Sequence, residues 1–210
     1  LDSDPLIINT EGGVLRFWTE PGEDDGGANP PPPVVHVERL DHHRDQLLTK
    51  MMPVDLDPRA RCPQFDGFLE QIMPNREMRR FLQRWFGYSM TGLTSEQVFA
   101  FFYGGGRNGK SVLVDLMAKM MGDYAASAKI ESITGRSRRG GGDATPDLVP
   151  LIGARFVRAS EPDQGQQLQE GLIKELTGGE PIMVRSLNEN FVLVYPFFKL
   201  TISGNHRPDI

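Results

Sequence analysis

The segment Gly104–Ser111, GGGRNGKS, fits the spacing G-x-x-x-x-G-K-[ST] and constrains this chain more than any other feature. Before it runs VFAFFY (98–103), a near-continuous apolar stretch of the kind found in a parallel-sheet strand covered on both faces. After it, residues 111–121 put Val112, Leu116 and Met120 on one helical face, and Gly122 can end that helix. Strand, glycine loop and helix in that order open an α/β nucleotide-binding unit. The reason is mechanical: glycines let backbone N–H groups curl around phosphate oxygens, and the helix N-terminus aims its partial positive charge at them. The expected contact set is Gly104, Gly105, Gly106, Arg107, Asn108, Gly109, Lys110, Ser111 and Val112. Within it, the Lys110 ammonium reaches the β- and γ-phosphates and the Ser111 hydroxyl coordinates Mg²⁺.

Such a loop needs an acid at the end of a neighbouring strand, to hold the metal through water or to polarise an attacking water. FVRASE (156–161) offers Glu161 beside a turn at Pro162, with Asp163 as its competitor; order along the chain favours Glu161. A further polar side chain should end another central strand and orient water against the γ-phosphate. Asn205 holds such a place, after the apolar run 198–203 and Gly204.

The rest of the chain sets the frame. Residues 5–18 read as a short strand pair, 20–33 (EPGEDDGGANPPPP) as a loop or linker, and 34–37 as a resumed strand. From Pro63 to Met90 the pattern turns helical, with Phe65, Phe68, Leu69 and Ile72 and then Met78, Phe81, Leu82, Trp85 and Phe86 at core spacing. Asn75, after the break at Pro74, is placed to cap the second helix. Residues 151–160 read as a strand, 166–177 as a helix, and 182–186 with 191–195 as a hairpin. The adjacent His42 and His43 lack further ligands at metal spacing. The 210 residues carry a net charge of -5 and a single cysteine, Cys62, which allows no internal disulfide. No apolar run reaches the roughly 20 residues that span a bilayer. The chain opens on Leu1 and stops after an apparent strand and turn, which reads as a piece of a longer polypeptide.

From about Leu48 to Ile210 the sequence resembles the helicase part of phage and plasmid DNA primase-helicases, superfamily 3 AAA+ ATPases that include satellite-phage and poxvirus types. The segments that carry the resemblance are VDLDPRARCPQFDGFL, GYSMTG, YGGGRNGKS, RFVRASE, IKELTGGEPIMVR and FKLTISGNHRP, in that order. It implies an α/β fold: a P-loop AAA+ type parallel sheet with flanking helices, after a small helical subdomain and an N-terminal β-rich segment. The implied divisions are 1–47, 48–95 and 96–210, the last C-terminally incomplete. It implies Lys110 and Ser111 as Walker A, Glu161 as the Walker B acid and second metal ligand, and Asn205 as the sensor, with ATP and Mg²⁺ bound. It further implies a homo-oligomeric ring, hexameric in the family pattern, moving on single-stranded DNA in the cytoplasm of a phage, prophage or plasmid host, and a primase domain in the parent polypeptide. The hairpin 182–195 then projects toward DNA. Its Arg185 matches the family pattern, while the tip (Asn188, Glu189, Asn190) carries no basic residue, leaving Lys174 and the Arg136, Arg138, Arg139 cluster as further candidates. A small-molecule P-loop kinase with RSRRGGG as its lid, and a nucleotide-binding fragment inactive alone, are the competing expectations.

Overall fold

Short apolar runs build the first unit of the computed structural model, which describes residues 1–22, 33–134, 144–160 and 167–206. Glu161, Asp163 and the Arg136, Arg138, Arg139 cluster with its RSRRGGG stretch lie outside the described residues. Strands β1 (Ile7–Thr10), β2 (Gly13–Glu20) and β3 (Val34–Leu40) pair antiparallel in that order. Their turn needs Gly13, at φ +150, where a Cβ would sit 2.6 Å from the Leu40 carbonyl oxygen. Ile8 and Leu15 point inward and join Met52 and the inner side of a later helix in one apolar cluster.

Helices α1 (Pro63–Ile72) and α2 (Arg76–Met90) follow, α1 opening on a proline at its first turn. The Asn75 side chain accepts from the backbone N–H groups of Glu77 and Met78 at 2.8 and 3.2 Å, a cap worth about 1 kcal/mol. The apolar stripe expected across both helices is core only at its rear. α2 buries Leu82, Trp85 and Ser89, whereas α1 buries no residue, and Met78 and Phe81 stay exposed. Trp85 fixes the packing: its indole N–H donates to Thr201 Oγ1 at 3.0 Å, so a large apolar ring is buried with its polar atom satisfied.

The second sheet is parallel. Its strands are β4 (Ala100–Tyr103), β5 (Ala125–Ala128), β6 (Phe156–Ala159) and β9 (Lys199–Gly204), in the order β4-β9-β6-β5. Between them lie α3 (Lys110–Met121), a single turn α4 (Ile130–Ile133), α5 (Glu170–Thr177) and the antiparallel hairpin β7 (Ile182–Val184) with β8 (Val192–Val194). Two strands are shorter than their apolar runs, 98–103 and 151–160. The second is cut back by a 3₁₀ turn at Val149–Leu151 and by Gly153 at φ +70. The helix expected from residue 166 begins at Glu170.

A correction concerns α3. Val112, Leu116 and Met120 share a face, but it points to solvent, with exposures of 60%, 37% and 39%. The buried residues are Leu113, Val114, Met117 and Met121. This helix is apolar most of the way round, so periodicity alone does not choose its inner face. At 3.6 residues per turn Lys110 lies in line with Val114, Met117 and Met121, and the row that carries the lysine to the sheet is the row that packs. Val157, Leu200 and Ile202 form the core of the opposite sheet face with Ile173 and Leu176 of α5 and Val184 of the hairpin.

Two basic side chains are buried at the N-terminal ends of the strands. Arg155 donates to the carbonyls of Asp4, Pro5 and Ile7 at 2.7, 2.8 and 3.3 Å. Lys199 Nζ lies 2.5, 3.0 and 3.2 Å from those of Thr91, Leu93 and Phe197, and 4.6 Å from the Tyr88 ring centre. Carbonyls thus replace the water these groups lose. Burial, with Arg155 nearby as a like charge, brings the Lys199 pKa down to about 6. These contacts fasten the start of the chain and the α2–β4 connection to the base of the sheet.

Candidate nucleotide-binding site

The opposite, C-terminal ends of the strands carry the site. Tyr103 of β4 pairs with Gly204 of β9, so the two strands finish level and release Gly104 and Asn205 side by side. The Gly104 N–H donates to the Gly204 carbonyl at 3.3 Å. From there the loop turns through left-handed backbone at Gly106 (φ 73), Arg107 (φ 50) and Gly109 (φ 80). For Arg107, which has a Cβ, this costs about 1–2 kcal/mol. Gly109 is required by packing as well: a Cβ there would fall 2.6 Å from Ile72 and 3.2 Å from the Phe68 ring. The largely exposed helix α1 therefore closes over the back of the loop.

Helix α3 starts at Lys110 without a side-chain cap, leaving its first-turn N–H groups for the cradle. The Lys110 ammonium donates to the Gly104 carbonyl at 2.5 Å, to Asn108 Oδ1 at 2.9 Å and to Asn205 Oδ1 at 3.2 Å. An ammonium has three N–H donors, and these acceptors engage them all. A cavity of about 410 Å³ lies against this arrangement, lined by Gly106 through Val112 and by Ser160, Ser203, Gly204 and Asn205.

Of the expected site residues, the structure thus brings Lys110, Ser111, the glycine loop and Asn205 to one cavity, although Lys110 and Asn205 stand 95 positions apart. Gly104 takes part through its carbonyl; Gly105 is not among the cavity's lining residues. Ser111 offers a hydroxyl to a hard cation, and no group of three or more His, Cys, Asp or Glu is arranged for a metal among the described residues. Ser160 and Ser203 also line the cavity, beyond the set that the sequence motifs single out. Their signal is positional: Ser160 directly follows β6 and precedes Glu161, and Ser203 is the penultimate residue of β9, two before Asn205.

The two described DNA candidates lie elsewhere. Arg185, directly after β7, has its guanidinium 4.6 Å from the Phe191 ring centre and its backbone N–H on Thr145 Oγ1 at 2.9 Å. Lys174 on α5 is exposed and pairs with Glu170 at 3.2 Å, one turn back.

Residues 1–74 match the family model described as D5 N terminal like. The chain is 31% identical over 145 residues to "Putative helicase L207/L206" of Acanthamoeba polyphaga mimivirus, covering 69% of this chain and 15% of that protein. It is 22% identical over 191 residues to "Putative primase C962R" of African swine fever virus (strain Badajoz 1971 Vero-adapted), covering 90% and 18%. These are likenesses to proteins named as a putative helicase and a putative primase. The chain spans less than a fifth of the length of either relative. Its fold is similar to the A form apo structure of the NrS-1 C terminal region, with a TM-score of 0.56 at 16% identity over 72% of this chain and 35% of that one. Among the described residues no helix is long and apolar enough to cross a membrane.

Proposed function

We propose that this chain is the nucleotide-hydrolysing core of a replicative DNA helicase of the primase-helicase kind, with a P-loop AAA+ sheet of superfamily 3 type in residues 96–210. Residues 48–95 serve as a helical subdomain ahead of it and 1–47 as a β-rich N-terminal segment. The observation that carries the reading is the contact between Lys110 and Asn205 across the mouth of the glycine loop. It puts a fixed positive charge and a polar amide on the same few ångströms of space at the ends of two adjacent parallel strands.

In this reading the loop N–H groups from Arg107 to Ser111 hold the phosphates of ATP. Lys110 exchanges its carbonyl and amide acceptors for phosphate oxygens, and Asn205, then released, orients water toward the γ-phosphate. The Ser111 hydroxyl and Glu161 would hold Mg²⁺, which would supply positive charge against the phosphates. Hydroxyl and carboxylate oxygens are the donors that a hard ion of this kind prefers. Single-stranded DNA is the polymer acted on, Arg185 of the hairpin is its leading phosphate contact and Lys174 a secondary one, and the working form is a homo-oligomeric ring, with six copies in the family pattern. A primase domain in the same polypeptide is part of the proposal.

ATP hydrolysis with and without single-stranded DNA, in wild type and Lys110→Ala, tests it. DNA-stimulated turnover lost in the variant is expected. Turnover indifferent to Lys110, or no ATP binding by the wild type, overturns it.

A further inference from the structure

The phosphate cradle does not end at Ser111. Ser111, Ser160 and Ser203 also line a second cavity of about 290 Å³, so the two spaces adjoin. Asp115, Ser127 and Arg158 line this second cavity and a third, of about 520 Å³, which runs on between α3 and the edge strand β5 past Lys119. The three form a series that leads from the glycine loop to the outer edge of the sheet.

The walls of the passage have a definite chemistry. At its narrow middle the sheet contributes Arg158 from β6 and Ser127 from β5, register partners on neighbouring strands. The Arg158 Nε donates to Ser127 Oγ at 3.1 Å and its Nη1 pairs with Asp115 on α3. Those bonds engage two of the five N–H donors of a guanidinium. Arg158 and Asp115 have side-chain exposures of 36% and 57%, so the pair is held in a wet groove and can be exchanged. A planar fork of N–H donors with hydroxyls around it fits a tetrahedral oxyanion, and a competing carboxylate keeps the fork in place when no anion is there.

We propose that Arg158, with Ser127, forms a second anion site that receives inorganic phosphate after it leaves the cradle, with Asp115 as the exchangeable partner. This rests on the hydrolytic reading above, since it is hydrolysis that would generate phosphate beside Ser111. Asp115 and the incoming phosphate compete for one guanidinium, so the site is a way station that binds weakly. That suits a path of release better than a store.

The test uses the whole chain and inorganic phosphate as the probe, measured by titration calorimetry, with thermal melting to check folding. In a Lys110→Ala background, which removes the cradle's charge, phosphate binding should persist. Adding Arg158→Ala should weaken it about tenfold, the effect of losing one charge-assisted donor group. Adding Asp115→Asn instead should tighten it several-fold, a gain that the loss of a merely structural ion pair does not produce, and this arm decides the matter if Arg158→Ala fails to fold. Phosphate affinity unchanged by both substitutions, or absent once Lys110 is gone, overturns the inference. ATP binding measured beside it keeps the two proposals apart: binding indifferent to Lys110→Ala sinks the nucleotide reading, whereas ATP binding lost in that variant with phosphate affinity insensitive to residues 115 and 158 sinks only the second site.

Discussion

The two ends of the parallel sheet use lysine in opposite ways. At the C-terminal end Lys110 borders an open cavity, and two of its three acceptors are side-chain amides that can swing away. At the N-terminal end Lys199 is 2% exposed and held by three backbone carbonyls that cannot move without the chain moving. The same functional group is thus available for chemistry at one end and committed to architecture at the other. What distinguishes them is the freedom of the acceptors, more than the number of bonds.

Breaking the architectural end should have the largest effect. Arg155→Ala strands the carbonyls of Asp4, Pro5 and Ile7 in a buried site, and denaturant unfolding should show a loss of about 4 kcal/mol. Next comes the other end: Lys110→Ala should lower ATP turnover about 10²- to 10³-fold, as when a key charge-stabilising donor is removed, while its unfolding midpoint stays close to wild type. A third outcome separates the lysines by pH. With Lys199 lowered to about 6 from an ordinary 10.5, the folded chain binds one proton fewer than the unfolded chain between those values. Stability should therefore rise with pH across that window, by up to about 1.4 kcal/mol per unit, and level off below it. Lys199→Met should flatten the slope, and a slope unchanged in that variant would place its origin elsewhere. The smallest effect lies outside both ends: Arg185→Ala should weaken single-stranded DNA binding by about 1 kcal/mol, with a shallower salt dependence on titration.

The difference between the ends also sets what is legible in the sequence. The glycine loop and its lysine are legible as a local motif of fixed spacing, and Asn205 as a polar residue after an apolar run, read in the order of the segments that carry the resemblance. Asn75 is legible as a cap for the same reason: a local hydrogen bond has a local signature. Arg155 and Lys199 are not, since their partners are backbone carbonyls of segments far away in the chain, and a carbonyl is the same in every residue. Each stands as a lone charge beside an apolar strand, which is the faint signal available. Periodicity does not choose the inner face of α3 because an almost wholly apolar helix has no unique stripe, and it marks α1 as core although the partner of that helix is the glycine loop. Apolar runs that continue into turns make strands look longer than they are.

The geometry of β9 has a mechanical consequence. Lys199 opens this strand and Asn205 follows its last residue, so the anchored base and the reactive tip are joined by one straight rod, about 20 Å long. Flanked on both sides by β4 and β6, the rod resists bending and is held in register by the ladder on either side. A displacement of residues 91–93 would therefore reach Asn205 through one continuous strand.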